Sequence, residues 1–83
     1  MLFPGELAFR LKDQHGFPLD LTVDIAKERG MRVNWREFID SARRAGWWDY
    51  QTLKHIEYAQ TENGQNVMEM ARAYVVANPH PAL

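Results

Sequence analysis

The 83 residues, 46% hydrophobic and 12% aromatic with a net charge of −1, can build one small core but lack the bulk positive charge that draws proteins to nucleic acid. The absence of cysteine excludes disulfides, thiolate metal sites and a cysteine nucleophile, and it favours a reducing, cytoplasmic setting. No apolar run reaches the roughly 20 residues that span a bilayer, and Met1 to Glu6 lacks the regions of a signal peptide, so no membrane association is expected.

Proline and glycine divide the chain into helical segments. Phe3, Leu7 and Leu11 recur at helical spacing around Pro4, which predicts a first helix over Pro4 to Gln14, ended by Gly16. Pro18 opens a second, with Asp20 and Asp24 near its positive end, Lys27 and Arg29 near its negative end, and Gly30 as a left-handed cap. Leu19, Leu21, Ile25 and Ala26 are expected to face inward. After the connection Met31 to Val33, Asn34 and Glu37 form a variant capping box for a third helix over Trp35 to Ala45, burying Phe38, Ile39 and Ala42 and stopping at Gly46.

Asp49 is placed to cap a fourth helix, with Tyr50, Leu53 and Ile56 on one face and an end near Asn63 and Gly64. Val67, Met70, Ala71, Tyr74 and Val75 give the fifth helix the cleanest amphipathic pattern, and Asn78 before Pro79 ends it. No stretch alternates strictly enough to argue for a strand. The prediction is an all-α, compact single domain of about five short helices over residues 1–78, with a flexible tail over 79–83.

The run from Glu6 to Phe38 contains Asp13, Gly16, Phe17, Pro18, Asp20, Leu21 and Thr22 in the spacing D-x-x-G-F-P-x-D-L-T. It resembles the bacterial alanyl-tRNA synthetase family, and the resemblance fades by Ala45. It implies helical geometry from the region that reads the tRNA acceptor stem, with Asp13 at the position of a stem-reading aspartate. Lys12 stands where the family usually has an aromatic residue, and Gln14 where it has Thr or Ser. The family's ATP, alanine and editing motifs have no counterpart here, so the chain is not expected to aminoacylate. Trp47 to Leu83 reads as an independent completion of the core. The shared residues also suit a purely structural corner, in which Asp20 and Thr22 satisfy first-turn amides and Phe17 packs between helices.

Nothing else in the chain builds an active site. His15, His55 and His80 lack metal-ligand spacing, Asp20 and Asp24 suit the helix dipole, and Ser41 has no histidine at activating distance along a helix. No catalytic residue, cofactor or metal site is therefore expected. A helix-turn-helix DNA reader fits poorly, because Arg36 stands where that motif places an apolar residue.

The strongest remaining signal is aromatic: Trp35, Trp47, Trp48 and Tyr50 exceed what so small a core absorbs, and Arg43 and Arg44 precede the tryptophan pair. The leading expectation is accordingly a non-enzymatic module acting through a protein partner or self-association, at Arg43, Arg44, Trp47, Trp48 and Tyr50. The alternative is a tRNA acceptor-stem or structured-RNA binder using Lys12, Asp13, Lys27, Arg29 and Arg32. A contiguous basic patch from Arg10 to Arg32 would favour RNA, and an exposed tryptophan and arginine patch would favour protein.

Overall fold

The computed structural model describes residues 1–60 and 64–80. Leu2–Phe3 (β1) pairs in parallel with Arg32–Val33 (β2), Leu2 opposite Arg32 and Phe3 opposite Val33. Asn34 N–H donates to Phe3 O at 2.9 Å and closes the ladder. The expectation of no strand fails at these four residues, since two-residue strands are too short to show alternation and form only because tertiary packing brings them together.

The rest is all-α: α1 (Gly5–His15), α2 (Leu19–Glu28), α3 (Trp35–Arg44), α4 (Asp49–Ala59) and α5 (Gly64–Ala77). Pro4 and Pro18 stand immediately before α1 and α2, where a missing N–H costs nothing. Gly16 turns the chain out of α1 at φ 64°, and the Phe17 N–H returns to Leu11 O at 2.9 Å. This is the corner expected from the motif, although Phe17 is only half-buried and Thr22 Oγ1 is buried with no hydrogen-bond partner. Thr22 thus fills space between helices and caps nothing.

Asn34 Oδ1 accepts the Glu37 N–H at 3.2 Å, which is half of the expected capping box. The other half is long-range. Glu37 Oε1 accepts the Glu6 N–H at 3.0 Å, so a carboxylate from α3 caps the positive end of α1. The two helices approach closely because Gly5 is buried where a side chain would strike Asn34 O and Phe38 N.

The core centres on α3, whose Phe38, Ile39 and Ala42 are fully buried, with Ala8 and Phe9 of α1, Ile56 of α4 and Ala71 of α5 around them. Phe9 meets Phe38 edge-on at 5.5 Å and Trp35 meets Phe38 likewise at 5.5 Å, pairings worth about 1 kcal/mol each beyond their buried area. The inward faces differ from those expected on three helices. Ala8 and Phe9 replace Leu7 on α1, Thr22 joins Leu19 and Ala26 in place of Leu21 and Ile25 on α2, and Thr52 and Ala59 join Ile56 in place of Tyr50 on α4. Apart from Phe9, small residues such as Ala8, Thr22, Thr52 and Ala59 win these positions because they let helix backbones come together. On α5 the expected stripe holds, with Met68 added. The fourth helix ends earlier than expected, at Ala59 with Gln60 extended, and no side chain caps its start, since Asp49 is the first helical residue and its carboxylate is bonded to Arg43; Asn63 and Pro81 to Leu83 of the tail lie outside the described residues.

Candidate RNA interface

A cleft of about 740 Å³ opens where the end of α2, β2 and the start of α3 face the end of α4 and the start of α5. Lys27, Arg32 and Arg36 line it from the first side, and Gln60 and Asn66 from the second. Val33 and Trp35, each only 5% exposed, contribute apolar surface. Among the described residues lining the cleft there is no Asp or Glu. Arg36 also lies over the Tyr74 ring, 5.9 Å from its centroid, and Tyr74 O–H donates to Asp40 Oδ1 at 2.8 Å. That hydrogen bond to a carboxylate holds the Tyr74 hydroxyl protonated to higher pH than usual.

The expected RNA-contact residues therefore fall into two places. Lys27 and Arg32 line the cleft and exposed Arg29 stands next to Gly30 on its rim. Lys12 lies beyond the opposite end of α2, in a small depression shared with Pro18, Leu19, Asp20, His55 and Tyr58. Asp13 is exposed in the last turn of α1 beside it. The 10 residues of α2 separate the two places by ~15 Å. Arg10 is paired with Glu6 at 2.8 Å, so the basic surface is not one continuous patch from Arg10 to Arg32. Burial first, and the charge of Lys12 second, push the His55 imidazolium toward its neutral form.

Arg36, Gln60 and Asn66 were not among the expected contacts. Arg36 lies outside the matched motif core and Gln60 and Asn66 are uncharged, and the packing of α5 against α3 and α4 brings them to one cleft.

The aromatic and arginine set divides as well. Trp35 is buried, and Trp47 packs on Phe9 at 5.0 Å and His55 at 4.7 Å. Arg43 is turned inward, bonded to both Asp49 carboxylate oxygens and to Asn78 O. Arg44 is exposed and donates to Ser41 Oγ at 3.2 Å, while Trp48 and Tyr50 are exposed at 66% and 70%. Among the described residues no three His, Asp or Glu side chains are grouped to hold a metal ion, and no helix is long and apolar enough to cross a membrane.

Residues 1–76 match the family described as tRNA synthetases class II (A), and the chain belongs to that family. It is similar to the alanine–tRNA ligase of Burkholderia vietnamiensis (strain G4 / LMG 22486), 58% identical over 88% of this chain and 9% of the relative. The same enzyme of Burkholderia cenocepacia (strain HI2424) is 41% identical over 88% of this chain and 9% of its own length. That of Xanthomonas campestris pv. campestris (strain B100) is 62% identical over 45% of this chain and 4% of its own. The chain thus spans about a tenth of the length of these relatives. No solved structure matches it.

Two expectations are corrected by these matches. The resemblance does not fade by Ala45 but continues to residue 76, so α4 and α5 belong to the same family unit as the motif. Family membership also overturns the leading expectation of a protein-binding adaptor and favours the alternative, tRNA binding. Whole-chain charge and an aromatic surplus do not decide between these partners, because recognition depends on the local arrangement of charges.

Proposed function

We propose that this chain is a tRNA-binding segment of the alanine–tRNA ligase type, which contacts the acceptor stem and takes no part in the chemical step. The family match over residues 1–76, which includes Asp13 and the G-F-P-x-D-L-T corner, carries this reading. An ionised aspartate is acceptor-only, and in the wide, shallow minor groove of an RNA helix the guanine amino group is the donor that sets one base pair apart from another. Exposed Asp13, at the end of a helix held rigidly against α3, has the chemistry to take that bond. Neighbouring Lys12 offsets the repulsion between the carboxylate and the RNA backbone. Such a role belongs with a cysteine-free chain in a reducing cytoplasm.

The test is fluorescence anisotropy with an acceptor-stem hairpin over a series of salt concentrations. Binding should weaken as salt rises. Asp13→Ala should reduce discrimination between stems differing at one base pair by about tenfold, with a smaller change in affinity for the weaker stem. Absence of binding to any acceptor hairpin at low ionic strength would overturn the proposal.

A further inference from the structure

The surface at Asp13 extends onto α4. Lys12, the residue before it, shares a depression of about 150 Å³ with Asp20 of α2 and with His55 and Tyr58 of α4. That volume is below the roughly 300 Å³ at which sites begin to enclose an organic ligand, and it suits a single group such as a phosphate. Tyr58 is 83% exposed, and neither its hydroxyl nor the Lys12 ammonium is held by a hydrogen bond or ion pair among the described residues. The His55 ring rests on Trp47 at 4.7 Å, which keeps the imidazole in place beside Lys12.

Charge alone does not invite a phosphate here, because two carboxylates, Asp13 and Asp20, stand close to the single ammonium of Lys12. A second positive charge is needed, and His55 is the group in the depression that can supply one near neutral pH. Other charges around α4 are already matched. Glu57 pairs with Lys54 and Arg72 two positions along and so on another face, and Arg43 of α3 pairs with Asp49.

We propose that a backbone phosphate of the stem seats in this depression against Lys12 and Tyr58 and that its arrival protonates His55, so that RNA binding takes up a proton from solution. The inference rests on the tRNA reading above. In the free chain, burial and then Lys12 favour the neutral ring. A phosphate beside it reverses that balance, since an anion within reach stabilises the imidazolium. The tyrosine hydroxyl adds a neutral donor of the kind that commonly positions a nucleic-acid backbone. Linkage is reciprocal: a proton held more tightly in the complex adds affinity that is fully present below the free-chain pKa and is lost as the pH rises through the bound value.

The experiment measures acceptor-hairpin affinity by anisotropy from about pH 7.5 down to about pH 5.5 for the wild type, His55→Phe, His15→Gln and Tyr58→Phe, with circular dichroism confirming the helices at each pH. Wild-type affinity should rise about fivefold over this range, the gain for a pKa that climbs by about one unit on binding. His55→Phe should flatten the rise. His15→Gln should keep it, which separates His55 from the exposed histidine that ends α1 two residues beyond Asp13. Tyr58→Phe should weaken binding about fivefold at every pH, and unchanged affinity would remove α4 from the interface. NMR titration of the wild type, free and hairpin-bound, reads the His55 pKa directly and needs no variant to fold. An unmoved His55 pKa in a chain that still binds the hairpin would overturn this inference and leave the stem reading in place, as would an equal pH slope in wild type and His55→Phe. Failure of the wild type to bind at any pH would overturn both.

Discussion

Arg43 holds both carboxylate oxygens of Asp49, with Nε 2.9 Å from Oδ1 and Nη2 3.0 Å from Oδ2. The pair spans the turn at Gly46 and joins the end of α3 to the start of α4. Nη1 of the same guanidinium donates to Asn78 O just beyond α5, so one side chain fastens three helices. An arginine that reads as a partner contact in the sequence is here an internal tie.

The pairing makes a pH-dependent prediction. The hydrogen bond from Arg43 is the main cause that holds the Asp49 carboxyl below its usual range. A depressed carboxylate contributes stability above its unfolded pKa of about 4 and loses it as the pH falls through the lower folded value. Asp49→Asn should therefore cost about 2 kcal/mol in urea unfolding at neutral pH, with the difference from wild type vanishing in strong acid. Equal stability at neutral pH would show that the pair contributes nothing net.

His55 acts at milder pH. Burial, then Lys12, lowers its pKa, so its neutral form is favoured in the fold and its contribution is fully present above the unfolded value of about 6.5. Wild-type stability should fall as the pH drops through this value toward the lower folded one. His55→Phe, which keeps a ring against Trp47, should abolish that part of the decline. An NMR titration of Lys12→Met should show the His55 pKa moving upward, and an unchanged value would remove Lys12 from the account.

The close crossing of α1 and α3 has a sharper test. Gly5→Ala places a methyl group against Asn34 O and Phe38 N, both backbone atoms that cannot rotate away. Thermal unfolding should register a loss of about 3 kcal/mol, although alanine is the better helix former. A neutral or stabilising outcome would show that the helices do not meet at Gly5.

The adjacent tryptophans should part company. Trp47→Ala, which removes half-buried contacts with Phe9 and His55, should cost about 2 kcal/mol. Trp48→Ala should change stability by less than about 0.5 kcal/mol, since the Trp48 group that Thr52 uses is the backbone carbonyl. Denaturant melts of the two variants, measured side by side, check the order.

The boundaries of the first three helices were legible in the sequence because each depends on a few adjacent residues, whereas the fourth helix ends at Ala59, before the expected Asn63. Pro4 and Pro18 start helices, Asn34 caps one through its own side chain, and the glycines after α1, α2 and α3 adopt the positive φ that L side chains resist. The motif from Asp13 to Thr22 likewise carried the family, being contiguous. Burial was less legible. Leu21 and Ile25 are as apolar as Leu19, yet they are 44% and 40% exposed, because the approach of α4 decides which face of α2 is covered. The same holds for Glu37, which caps a helix 31 positions away, and for Arg43, which is spent on Asp49 and Asn78. Periodicity marks an apolar stripe but cannot say how closely a distant helix will come, and small residues such as Gly5 and Ala8 set that distance while adding little to any hydrophobic pattern. Lys27, Arg32 and Arg36 meet Gln60 and Asn66 for that reason alone: packing joins segments that no local rule relates.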